Sequence, residues 1–123
     1  MTRLAPLALA LRQTERTALR RRRQRGTYDR SLAYPLLDEA LVCHVAWVHD
    51  GAPMLQPMAF VRVGDSLYLH GSPNNRALLT LAGGAAASIA VSVVDGLVLA
   101  KSAGHHSLNY RSVVLFGEGR RVT

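Results

Sequence analysis

The chain has 123 residues, 49% of them hydrophobic, a formal net charge of +7 and one cysteine, Cys43. That length and apolar content suit one domain with a buried core and exclude a disordered polar chain. The single cysteine excludes an internal disulfide framework and fits a reducing cytoplasm, and no apolar run approaches the ~20 residues that span a bilayer.

The charge is unevenly placed. Residues 1–30 carry nine arginines against Glu15 and Asp29, a surplus of +7, whereas residues 31–123 carry six basic and six acidic residues and are neutral. The leader LAPLALAL, Leu4 to Leu11, runs into arginines where an export signal would place its small-residue cleavage site, so no export is expected. We divide the chain into a basic N-terminal arm, residues 1–26, and a domain over residues 27–123. The arm lacks the interleaved aromatics of a single-strand-binding surface. It reads as a solvated or partner-packing tail, with a salt-dependent nucleic-acid module as the alternative.

From Tyr28–Asp29 the spacing of Leu32, Leu36, Leu37 and Ala40 predicts a helix, with Pro35 near its start. Leu41–His49 is β-branched and aromatic, and Asp50–Gly51 signals a hairpin into Met54–Val63, where Pro57 suggests a strand edge or a bulge. Gly64–Asp65 turns the chain into Ser66–His70. A short helix follows in PNNRALLTLAGG and stops at Gly83–Gly84. Ala85–Val94 predicts a strand, Asp95–Gly96 a third hairpin turn, Leu97–Lys101 a return strand and Tyr110–Gly119 a sixth. The expected fold is mainly β with minor α: six antiparallel strands in a small split barrel with short flanking helices. The chain ends at Thr123 directly after the sixth strand, as a C-terminally truncated barrel would.

Two long connections draw the chemistry. In YLHGSPNNRALL a strand ends at His70, Gly71 permits a tight turn, Ser72 can cap and Pro73 suits a first helical position. Arg76 in the first turn opposes the helix dipole, a conflict that a bound phosphate removes. An ordinary capped helix with a surface arginine is the alternative. In GHHSLNYRS, Gly104 to Ser112, adjacent His105 and His106 would point oppositely on a strand, and no metal-ligand spacing accompanies them. Cys43–His44 shares that adjacency. A flat, anionic heteroaromatic ligand suits the donors of this stretch; a polar loop satisfying its own turns is the plain alternative.

The segments YDRS, LDEALVCHVAWVHDGAPMLQPMAF, LYLHGSPNNRALL and DGLVLAKSAGHHSLNYRSVVLFGEG, spanning about residues 27–122, resemble one family. It is the flavin-nucleotide-binding branch of the pyridoxamine 5′-phosphate oxidase-like split-barrel superfamily, related to the 5-nitroimidazole-resistance proteins. The resemblance implies a homodimer that binds FMN between its subunits and acts as a flavin-dependent oxidoreductase on a small molecule. It implies that His70, Gly71, Ser72, Asn75 and Arg76 hold the phosphate, and that Pro57, Met58 and Ala59 support the ring through their backbone. Tyr110, Arg111 and Ser112, with His106 and Asn109 nearby, would come from the partner. Arg111 is then the candidate for stabilising charge on the reduced ring, and His106 for donating a proton. The second strand here, LQPMAFVRV, lacks the basic residues of true pyridoxamine-phosphate oxidases, which points away from that reaction. A haem-binding member of the superfamily, ligated by His70 or His106, is the alternative.

Overall fold

The structure is a computed structural model that describes residues 2–4, 26, 28–102, 104 and 107–122. Its elements in order are β1 (Thr2–Leu4), α1 (Arg30–Glu39), β2 (Val42–His49), β3 (Ala52–Val63), β4 (Ser66–His70), α2 (Arg76–Ala82), β5 (Ala86–Val98) and β6 (Ser107–Arg121). The strands close an antiparallel barrel in the order β1-β4-β3-β2-β5-β6. Mainly β architecture with two short helices is as expected.

Alternation builds the barrel wall. On β2, Cys43, Val45 and Trp47 are buried while His44 and Val48 face outward. Met58 and Phe60, Leu67 and Leu69, Ala87, Ile89 and Val91, and Leu115 repeat the pattern around the sheet and meet in one core. A period of two puts each such set on one face. Burial pushes the Cys43 thiol up to about 11.

Two expected turns form. Asp50 and Gly51 both take positive φ, 49° and 77°, as the tight two-residue turn between His49 and its partner Ala52 requires. Gly64, with φ 60°, opens the equally tight link from Val63 to its partner Ser66.

Asp95–Gly96 departs from expectation. The chain continues through it, so the two strands predicted over Ala85–Lys101 are one strand, β5, with a register shift between Val94 and Gly96. Gly96 has no positive φ, and β6 continues alongside it, with Asn109 opposite Gly96 and Leu108 opposite Leu97. Aspartate–glycine marks a bulge as readily as a turn when a partner strand runs on. The sixth strand is instead β1, from the segment read as the arm, which pairs with β4 and β6.

α1 begins at Arg30 because the Asp29 carboxylate caps it, accepting from the Ser31 N–H at 2.8 Å. Pro35 lies in the second turn rather than the first, where its missing N–H withholds a helical bond from Ser31, an exposed residue. Leu36 and Leu37 are buried as expected, but Leu32 is exposed, and Ala33 and Tyr34 take the inner side. The helix is strapped to the β3–β4 turn. Arg62 donates to both Asp38 carboxylate oxygens at 2.7 and 2.8 Å and to the Gly64 carbonyl at 2.8 Å. Tyr34 donates to Asp65, Arg30 pairs with Asp65 at 3.2 Å, and the Arg62 guanidinium lies 4.4 Å from the centre of the Tyr34 ring.

α2 lies against β6. A Cβ on Gly119 would sit 2.2 Å from the Leu81 carbonyl oxygen, so only glycine fits there. Gly119→Ala should therefore lower unfolding stability by about 3 kcal/mol, whereas Gly96→Ala, with open space around it, should be nearly neutral; urea melts of the two variants check this. The Cys43 thiol should resist thiol-specific labelling at mildly alkaline pH in the folded chain and react fully once denatured, because little of it ionises below about 11.

Candidate functional site

The connection after β4 is built from short polar bonds. The Asn75 N–H donates to the Ser72 carbonyl at 2.9 Å, closing a four-residue turn with Pro73 at its second position. The Asn74 N–H donates to Ser72 Oγ at 3.4 Å. Asn75, not Ser72, caps α2, with its Oδ1 accepting from the Leu78 N–H at 3.2 Å. Pro73 thus serves the turn, and Arg76 is the first helical residue. A Cβ on Gly71 would meet Leu78 Cδ1 at 3.1 Å, so the turn is pressed onto the buried face of α2.

No carboxylate lies in the first turn of α2, and no hydrogen bond or ion pair engages the exposed Arg76 side chain among the described residues. A helix N-terminus and an uncompensated guanidinium on the same turn both favour an anion.

Beside this turn β3 offers bare backbone. Ala59 lies opposite His70, the last residue of β4, so among the described residues Pro57 and Met58 run on with no partner on that side. On the other side Pro57 pairs in register with His44, without a bulge. The proline therefore stands in an inner strand, but at a local edge where its missing N–H costs no ladder bond. Pro57 and Ala59 face outward and are exposed, whereas the Met58 side chain is in the core, leaving its backbone for any ligand.

On that face of the outer wall Pro57 stands beside His44 and His44 beside Ala90, while the exposed Val42 lies opposite Ala59 and the exposed Leu55 opposite Ala46. The outward His44 is a residue that the sequence argument passed over with Cys43; strand alternation, applied to β2, separates them and puts the imidazole on this wall.

The third group lies on β6. By alternation Tyr110 and Ser112 share the outer face with Val114, while Asn109 and Arg111 continue the phase of the inward Val113 and Leu115. Arg111 Nε and Nη2 donate to the two Asp95 oxygens at 3.0 Å each, and Nη2 also reaches Glu39 at 3.0–3.1 Å. These bonds, Asp95 first, raise the Arg111 pKa, and Arg111 holds the Asp95 carboxyl below the usual range. Asp95 and Glu39 were not anticipated from the sequence, since one sits in the unforeseen bulge and the other on a distant helix. His106, with His105, lies outside the described residues.

The chain therefore joins His70–Arg76 to Pro57–Ala59 but holds Asn109–Ser112 apart, with β5 and β2 between β6 and β3 around the sheet. Among the described residues no cluster of three histidine, cysteine or acidic side chains can hold a metal ion, and no helix is long and apolar enough to cross a membrane.

Residues 29–123 match the family model for pyridoxamine 5′-phosphate oxidase. The FAD and heme binding protein from Mycobacterium smegmatis is 43% identical and superposes with a TM-score of 0.70, over 73% of this chain and 44% of that one. The flavocytochrome Anf3 from Azotobacter vinelandii is 35% identical with a TM-score of 0.76, over 85% of this chain and 49% of that one. The chain spans about half the length of these two proteins. No curated protein sequence matches it. The match over most of its length shows that the chain belongs to the pyridoxamine 5′-phosphate oxidase-like split-barrel family.

Proposed function

We propose that the chain binds a flavin nucleotide, FMN, as a homodimer, and serves in the cytoplasm as an oxidoreductase of the nitroreductase-like or pyridoxamine-phosphate-oxidase-related kind acting on a small molecule. The observation that carries this is the junction of Ala59 with His70. It sets an exposed strand edge beside a turn whose Arg76 has no partner among the described residues. The residues fit the group. A phosphate would meet the α2 N-terminus, Arg76, and the donors of Ser72 and Asn75; a planar ring would meet the backbone of Pro57, Met58 and Ala59 at the strand edge.

When bound, the flavin would supply hydride or electron transfer. The chain's own part is to fix the phosphate, lay the ring on β3 and exclude water from its face. The two similar solved proteins, named for FAD and heme in one case and as a flavocytochrome in the other, support a flavin on this scaffold.

The homodimer reading rests on exposed apolar surface. Beyond Val91 on β5 and before Val113 on β6 the two strands pair only with each other among the described residues, forming a ribbon. The ribbon exposes Val94 at 61%, Leu97 at 69% and Tyr110 at 63%. Val94 with Tyr110 and Leu97 with Leu108 make one face of this ribbon apolar; such a face favours a cover, and a second copy would supply it while bringing Asn109, Tyr110, Arg111 and Ser112 to the other copy's turn. His106 keeps its place in this reading as a proton donor outside the described residues.

Haem is the second reading, favoured by the same two proteins. His70, exposed at the site, would ligate the haem iron from the described surface, with His106 the alternative; a Soret band in the purified protein would mark it.

Titration of the full chain with FMN, FAD and riboflavin tests the proposal. FMN should quench on binding, and Arg76→Ala should weaken FMN about ten-fold or more while leaving riboflavin, which has no phosphate, unchanged. A chain that takes up no flavin at all would contradict the reading, and equal loss for FMN and riboflavin would contradict the role given to Arg76.

A further inference from the structure

We infer that Asp95 and Glu39 are positioning residues: through Arg111 they clasp the root of the β5–β6 ribbon to α1 and so set how the ribbon is presented to a second copy. The inference rests on the proposed intersubunit flavin site. It assigns Arg111 to holding the ribbon within its own protomer rather than to touching the ring.

The clasp joins three elements that are far apart in sequence. Arg111 sits on β6 opposite Val93, at the point where the ribbon leaves the barrel. Asp95 is the extra residue of the bulge between Val94 and Gly96, and its two oxygens take both prongs of the guanidinium at 3.0 Å. Glu39, the last residue of α1 and 72 positions away from Arg111, completes the set at 3.0–3.1 Å. Bulges commonly re-aim a side chain. Here the irregularity delivers a carboxylate to a neighbouring-strand arginine, which accounts for a bulge where the Asp95–Gly96 pair makes no turn.

Energetics give the clasp a specific scope. Its three side chains are each roughly half exposed, so each pair is worth too little to decide whether the barrel folds. A two-stranded ribbon, however, is itself marginal, and a fork-shaped bond at its root is enough to bias its direction. Asn109 and Arg111 flank Tyr110, and Ser112 follows, so the angle at Arg111 decides where Tyr110 and Ser112 point. α1 in turn is tied to the β3–β4 turn through Arg62 and Asp38. The ribbon is thereby referenced to the same hairpin that carries Pro57–Ala59.

The test compares the wild-type chain with the Glu39→Gln/Asp95→Asn double variant and with Asp95→Glu. Dimer dissociation is followed by sedimentation and FMN binding by titration. The double variant should show both dissociation constants raised about ten-fold, with an unchanged melting midpoint for the flavin-free chain diluted below its dimer dissociation constant, and Asp95→Glu, which keeps the charge, should stay close to wild type. Amide exchange gives a readout independent of flavin: residues 92–98 should exchange faster in the double variant, while β2 should not change. Wild-type binding and exchange in the double variant would overturn the clasp alone. A wild-type chain that neither dimerises nor takes up FMN would overturn the flavin reading and the inference with it. A fall in melting midpoint with unchanged affinities would show a merely structural ion pair and would also overturn it.

Discussion

The close approach of α2 to β6 organises the functional half of the molecule. With a glycine at 119, the Leu81 carbonyl lies where a methyl group would otherwise be, and the helix settles onto the strand. Leu78 and Leu81 then enter the barrel core, Leu78 presses against Gly71, and Asn75 closes the N-terminus of the helix. Arg76 has its place as a consequence of that packing. Among the described residues its charge has no partner, and it stands on a turn that favours anions, next to the point where β4 ends and β3 runs on.

The barrel divides its chemistry between two regions. The turn after β4 and the β3 edge are neighbours, and the β6 residues are held away on a ribbon that leaves the barrel. Within one protomer, Arg111 spends its charge on Asp95 and Glu39. What the ribbon offers to a ligand is thus the Tyr110 ring and the Ser112 hydroxyl on its outer face. In this account specificity for an anionic ligand comes from the α2 turn, and enclosure of a ring comes from the ribbon of another copy.

Much of this was legible in the residues, and the failures share a cause. Asp50–Gly51 and Gly64–Asp65 form turns because the strands on either side of each pair with one another right up to the turn. Asp95–Gly96 carries the same local signal, yet β6 supplies pairing on both sides of it, and a long-range ladder overrides a two-residue preference. Pro35 and Leu32 show the limit of helical spacing: the capping carboxylate of Asp29 sets where α1 begins, and the barrel decides which face is covered. Ser72 and Pro73 have the chemistry of a helix start, but the bond from Asn75 to Ser72 makes them a turn first. β1 was hidden because three residues in a basic, apolar segment carry no strand signal of their own. The turn with Arg76, by contrast, could be named from one electrostatic conflict, and the family resemblance extended it to Pro57–Ala59. Asp95 and Glu39 had no such signal, since their meaning arises only when the fold brings them to Arg111.

The central claim is that one binding site is assembled from the α2 turn of one copy and the ribbon of another. Mixing two defective variants tests it most directly. Arg76→Ala removes the anion contact and Tyr110→Ala removes the ribbon's ring, so each homodimer has two damaged sites. In a random mixture half the dimers are mixed, and each of these should carry one intact site, restoring tight FMN binding to roughly one site in four. No recovery on mixing, with both variants folded and exchanging subunits, would contradict the account.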